Sequence, residues 1–241
     1  MSDLFDTGHV AQLHEIQRAR LRRGEPGIGP EVEELIRRLT SGGVAGKSDD
    51  LRVIGAKRLF DLGVGRELGI VDFEGYLETI PAIPETLLAD NPEFPHLVLV
   101  EPRIGLARLC RLGGIDFAGD DNTFVPWSDE YRDSASPIWI RVQDGRKNRN
   151  RKVSDCRSAF APLELGPTAL QGVSAYLAHP EIVTDLARPD GHAVDLPGSV
   201  HRELREDAAY LNVRYGQTRL HWYWYGNASP DYGSASRRKA A

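Results

Sequence analysis

The chain is short of cysteine, methionine and long apolar runs, and each shortage removes a class of protein. Two cysteines, Cys110 and Cys156, allow at most one pairing. They make no disulfide framework of the kind that staples small secreted domains, and such sparing use fits a reducing compartment. Both are expected to be buried small hydrophobes. No stretch approaches the ~20 apolar residues that a membrane helix needs. The start, Met1-Ser2-Asp3, lacks the basic and apolar regions of a secretory signal. A cytoplasmic location with no membrane partner follows as the expectation, and Asn227-Ala228-Ser229 is read as a turn rather than a glycosylation acceptor. HExxH, paired CxxC and GxSxG motifs are missing too. The histidines, at positions 9, 14, 96, 179, 192, 201 and 221, show no metal-ligand spacing, so neither a metal nor a cofactor is expected.

What remains is the composition of a globular protein. The 241 residues, 41% apolar and 27% charged, suit one large domain or two small ones. The charge is unevenly spread. Residues 51–140 carry 8 Lys/Arg against 15 Asp/Glu, whereas residues 141–241 carry 15 against 11. Such asymmetry either steers an anionic partner or reflects complementarity between an acidic and a basic half.

Apolar residues at helical spacing predict helices over about 10–23, then from Pro30 to the Gly42-Gly43 break, then from a cap at Ser48 to about Leu62. Asp72 opens a further short helix. Four prolines between Ile80 and Pro95 predict a linker. Beyond it, Leu97-Val98-Leu99-Val100 and Ile138-Trp139-Ile140-Arg141-Val142 read as strands, with a helix over 104–112 between them. Helices are also expected from Ser154 to Phe160 and from Gly166-Pro167-Thr168 to about Ala178. Tyr210–Tyr215 and Arg219–Tyr225 alternate around Gly216-Gln217, the pattern of a two-residue hairpin. The expected fold is α+β: a helical N-terminal part over 1–90, then an α+β C-terminal domain over 91–241, with a small mixed or antiparallel sheet carrying helices on one face.

The densest chemical signal is Arg146, Lys147, Arg149, Arg151 and Lys152, five cations in seven residues directly after the turn dipeptide Asp144-Gly145. Guanidinium forks and ammonium point charges interleaved with asparagines suit phosphate oxygens, although a solvated hairpin tip explains the same letters. The sequence pI near 5.8 is unlike that of dedicated nucleic-acid domains. In Trp222-Tyr223-Trp224-Tyr225 one face packs a core while Tyr223 and Tyr225 on the other are candidate stacking platforms. Glu101, Asp120 and Asp121, with Asp116 nearby, are the candidate carboxylates for acid–base work, set against a solvated acidic loop. Ser199 with Asp195 and His221 would complete a nucleophile triad only if the fold brought them together. Gly46-Lys47-Ser48 lacks the preceding strand and the first glycine of a phosphate loop.

The C-terminal half resembles a bacterial family known only as a domain of unknown function. The likeness rests on Asp144-Gly145, Pro167-Thr168-Ala169-Leu170-Gln171-Gly172, His179-Pro180-Glu181, Leu196-Pro197-Gly198-Ser199, Trp222 with Trp224, and Gly233-Ser234-Ala235-Ser236. Family positions matching Leu170 and Gln171 tend to be acidic, and those matching His201, Tyr223 and Arg237 are often cysteine, so this chain departs from the pattern there. The resemblance implies a bacterial cytoplasmic protein and supplies no activity. The functional expectation is a non-enzymatic binding protein whose basic loop engages an anionic partner, a nucleic acid or an acidic protein surface. The alternative is a small hydrolase or transferase using carboxylates near residues 101–121.

Overall fold

A computed structural model describes residues 44–238, with side chains from residue 48. The helices expected over 10–23 and after Pro30 lie outside the described residues. The described residues from Val53 onwards belong to one compact unit, so the proline-rich segment before β1 belongs to the same unit as the strands. Seven α-helices are described: α1 (Val44–Asp61), α2 (Val64–Glu67), α3 (Phe73–Glu78), α4 (Glu85–Leu88), α5 (Leu106–Leu112), α6 (Val153–Ala159) and α7 (Ala169–Ala178). Ser48 lies inside α1 rather than capping it, as does Gly46-Lys47, which therefore forms no loop. Asp72 does cap α3, its carboxylate accepting from the Gly75 amide at 2.7 Å.

The protein is a mixed α+β structure, but its β part is larger than a small sheet. Among the described residues nine strands form two sheets: β1 (His96–Val100), β2 (Phe124–Pro126), β3 (Ile138–Gln143), β4 (Glu164–Leu165), β5 (Ala193–His201), β6 (Asp207–Arg214), β7 (Gln217–Trp224), β8 (Tyr232–Ser234) and β9 (Ser236–Arg238). The first sheet has the order β1-β3-β9-β4 and the second β2-β5-β6-β7, with β8 parallel to the start of β5. The sequence pattern underestimates this because β2, β4, β8 and β9 are two or three residues long, and because the nine-residue β5 is buried along almost its whole length and interrupted by Pro197-Gly198, so it shows no alternation. At Ala235, whose amide donates to the Asp195 carbonyl at 3.0 Å, the chain leaves one sheet for the other.

The linker prolines are fastened by strand side chains. Trp139 of β3 donates its indole N–H to the Pro81 carbonyl at 3.0 Å. Two residues on, the Arg141 guanidinium donates to the carbonyls of Leu87, Phe94 and Pro95. Backbone oxygens that proline-broken segments cannot pair with each other are satisfied this way.

Helix α7 packs against β1 of one sheet and β5 and β6 of the other. Thr168 and Gln171 form a reciprocal capping box at its start, and Ser199 of β5 accepts the Ala169 amide at 2.9 Å. Close approach to β5 requires Gly172: a Cβ there would sit 2.2 Å from Leu196 Cδ2, a side chain with no solvent exposure. Helix α6 contacts β5 as well.

Candidate functional site

The Asp144-Gly145 turn does not open a hairpin. Gly145 adopts φ 85° and leads into a single 3₁₀ turn, Arg146–Asn148, pressed against β8. Gly145 and Gly233 meet backbone to backbone, so a Cβ on either would lie 2.2 Å from the carbonyl oxygen of the other. The cations of this turn have partners within the chain. Arg146 Nε lies 2.8 Å from Asp144 Oδ2, and Lys147 Nζ lies 3.1 Å from Glu164 Oε1 and 5.4 Å from the Phe94 ring centroid. Arg149 donates to His192 Nδ1 and to the Gly191 carbonyl. Arg151 Nη1 donates to Asn148 Oδ1 at 3.2 Å, and Lys152, exposed, is the residue before α6. Arg146, Lys147 and Arg149 thus brace a loop, while Arg151 and Lys152 stand at its outer end.

The aromatic strand and a cation do converge, but the cation is Arg157 of α6. Its guanidinium carbon lies 4.2 Å from the Trp127 ring centroid and 5.2 Å from that of Tyr225, which itself meets Trp127 edge to face at 5.9 Å. The Nε donates to the Pro197 carbonyl at 2.7 Å. Nη1 and Nη2 are shielded from solvent and have no acceptor among the described residues. Burial pulls the Arg157 pKa down to about 10, opposed by Tyr131, Tyr225 and Asp195. The side chain therefore stays cationic at neutral pH. These groups line a cleft of about 350 Å³, completed by the hydroxyls of Ser128, Ser154 and Ser158 and by Glu130 and Tyr131. Ser154, Arg157 and Ser158 are presented together because positions i, i+3 and i+4 share a helix face. The opposite face buries Val153 and Cys156.

Tyr223 does not join that cleft. Its hydroxyl turns towards Asp195, a fully buried carboxyl in the middle of β5. Burial raises the Asp195 pKa to about 7, against the opposing pull of Tyr223, Arg157 and Ser234. Although these groups act on the carboxylate, neither its oxygens nor the Tyr223 and Ser234 hydroxyls reach standard hydrogen-bond geometry. The arrangement is an electrostatic cluster inside the protein. Cys156 sits beside it, its thiol pushed up mainly by burial, and Cys110 is likewise buried and pushed up to about 12. Neither is an activated thiol.

The acidic candidates of residues 101–121 take separate structural duties. Glu101 is fully buried between Arg103, 2.5 Å away, and the Tyr76 hydroxyl at 3.1 Å. Asp120 accepts from the Asn122 amide and the Thr123 hydroxyl, and Asp121 accepts the Ala107 amide at 2.8 Å near the start of α5. Asp121 also lines a cavity of about 240 Å³ that reaches Asp133, Thr168 and Ser199. Asp133 accepts from Thr168 Oγ1 at 2.7 Å and Gln171 Nε2 at 2.9 Å; burial nevertheless raises its pKa. Ser199 serves the helix start and His221 is exposed with Nδ1 beside the Trp222 carbonyl, so no triad forms with Asp195.

Histidine spacing along the chain conceals one cluster that folding creates. His96 at the start of β1 and His179 at the end of α7 bring their rings to 4.8 Å between centroids. Glu181 Oε1 lies 3.3 Å from His179 Nδ1 and 3.9 Å from His96 Nδ1. Sequence reasoning missed this group because its members lie 83 residues apart; the compact half, His179-Pro180-Glu181, was the only local signal. Arg157 and Trp127 were missed too, the former signalled by the polar stripe Ser154, Arg157, Ser158 and the latter by nothing local.

Compared with protein-family models, with curated proteins and with solved structures, the chain matches none.

Proposed function

We propose that the protein is a non-enzymatic binding protein for an anionic partner carrying an unsaturated ring, of which single-stranded nucleic acid is the chemical type. The supporting observation is Arg157, a cation held against Trp127 and Tyr225 with two terminal nitrogens that have no acceptor among the described residues. An unmade hydrogen bond at a buried donor costs about 1–3 kcal/mol, which an anionic acceptor would recover. Trp127 is 38% exposed and forms the wall between the guanidinium and solvent, so a rotation of its side chain would uncover the guanidinium. Base stacking on such rings contributes about 1–3 kcal/mol per base, with arginine adding cation–π attraction. Ser154 and Ser158 on α6 also line the cleft; their hydroxyls donate to Asp155 Oδ1 at 3.4 Å and to the Ser154 carbonyl at 3.1 Å, and would turn from these partners to meet phosphate oxygens. Arg151 and Lys152 extend the positive field at the head of the same helix. Glu130 in the cleft and the chain's net charge of −5 favour a short contact over long tracking along a strand.

The test is fluorescence anisotropy of a labelled single-stranded oligonucleotide against salt concentration. Salt-dependent binding that Arg157→Met and Trp127→Ala each weaken about tenfold, with Arg146→Gln close to wild type, is the expected result. Binding that is absent at low salt, or that persists unchanged in both cleft variants, overturns the reading.

A further inference from the structure

We propose that His96, His179 and Glu181 form a binding site for a divalent transition-metal ion of the Zn²⁺ type. The ring of His179 has a fixed orientation. Its Nε2 lies 3.0 Å from the Leu97 carbonyl, an oxygen that only accepts, so Nε2 carries the proton and neutral His179 presents a bare lone pair at Nδ1. That lone pair faces the Glu181 carboxylate at 3.3 Å. Two acceptors at this distance repel unless a cation stands between them, and the cation is either a proton on the imidazole or a metal ion.

Three features favour the metal. Donation of the distal ring N–H to a backbone carbonyl is how metal-bound histidines are held, because it fixes the tautomer and strengthens the ligating nitrogen. The second imidazole supplies another nitrogen on the same side. One ligand atom from each of the three residues lies within 4.8 Å of the others. A tetrahedral ion with bonds of about 2.0–2.1 Å holds its ligands roughly 3.3 Å apart. Both histidine-to-Glu181 separations are already 3.3 and 3.9 Å, so the contraction falls mainly between the two imidazole nitrogens and needs a small rotation of the His96 ring, with Glu181, 64% exposed, following it.

The donor set decides the kind of ion. Two imidazole nitrogens and one carboxylate suit Zn²⁺, Co²⁺ or Ni²⁺, whereas Mg²⁺ and Ca²⁺ require oxygen ligands. With three protein ligands the remaining coordination position is left to water. Bound metal would tie the start of β1 to the segment after α7, two places that the fold otherwise joins at this end through the His179 to Leu97 hydrogen bond.

The test uses the full chain without an affinity tag, freed of metal by dialysis against a chelator. Isothermal titration with Zn²⁺ should show a saturable site, and Co²⁺ should develop the visible absorption of a low-coordinate ion. His179→Ala and Glu181→Gln should each lower Zn²⁺ affinity at least about tenfold, and Zn²⁺ should raise the melting temperature of the wild type only. Glu181→Gln is at an exposed position and leaves the fold intact, so its result stands even if a histidine variant misfolds. Absence of binding, or binding at wild-type affinity in Glu181→Gln and His179→Ala, overturns the proposal and leaves the proton as the cation between the two groups.

Discussion

Arg149 donates through Nε to Nδ1 of His192 at 3.1 Å, while the opposite ring nitrogen lies 2.7 Å from the Asp144 carbonyl. A guanidinium can only donate, so Nδ1 is bare, Nε2 carries the proton, and His192 is neutral. One member of the basic run has thus become the lock of a fully buried imidazole.

Acid should open that lock. Burial first, with Arg146 and Arg149 adding to it, holds the His192 pKa below its ordinary value. The unfolded chain therefore takes up this proton before the folded one as pH falls. The contribution is present above about pH 6.5, the unfolded value, and is lost on acidification below it. Arg149→Met should cost about 1–3 kcal/mol at pH 8 by orphaning the Nδ1 acceptor and should reduce the acid slope by the share that Arg149 supplies. Urea unfolding at pH 5 to 8 measures both; an unchanged slope and midpoint would show the pair to be inert.

Asp195 should act in the opposite sense. Its folded pKa of about 7 stands above the ordinary carboxyl value of 3.8, so between those pH values the folded state binds the extra proton. Stability from this group is fully present below about pH 4 and is lost as pH rises to about 7. The window corresponds to roughly 4 kcal/mol at ~1.36 kcal/mol per unit. Asp195→Asn, which mimics the protonated acid, should flatten that part of the profile and stabilise the protein at pH 8. A variant that is less stable than wild type at pH 8 would mean that the ionised form is the one the fold uses.

Two glycines report the packing. Gly172→Ala would drive its Cβ to 2.2 Å from Leu196, so a loss of about 1–3 kcal/mol is expected from overpacking. Gly145→Ala should cost at least as much, because it meets the Gly233 carbonyl at 2.2 Å and adopts φ 85°. Thermal melts of the two variants check this; wild-type stability in either would imply that the loop or helix can withdraw.

Strong local periodicity carried the reading of β1, β3, α7 and the Asp72 cap, since each has its signal within a few residues. The short strands were illegible because their pairing is supplied by distant partners, as when Arg237 of β9 pairs with Val142 and Leu165. The basic run announced charge but not its destination: whether a lysine meets Glu164 or solvent depends on a strand 17 residues away. Asp195 was legible in principle, as a lone carboxyl within Ala193-Val194-Asp195-Leu196, a run otherwise fit for a core.

The β6–β7 hairpin gives a test that separates two registers. The sequence pattern puts Gly216-Gln217 at the centre of the turn, whereas the structure pairs Arg214 with Gln217 and centres it on Tyr215-Gly216. Both central residues then have positive φ, 52° and 76°, as a type I′ turn requires. Tyrosine adopts that region at a cost of about 1–2 kcal/mol, and Tyr215 recovers little by packing because it is 86% exposed. Tyr215→Asn would create the Asn-Gly pair that this turn favours, and the Asp185 carboxylate would still accept both turn amides. The variant should gain up to about 1 kcal/mol, read as a higher urea midpoint with an unchanged slope. In the register centred on Gly216-Gln217, position 215 would be a strand residue, where asparagine is disfavoured and the same substitution would lower the midpoint.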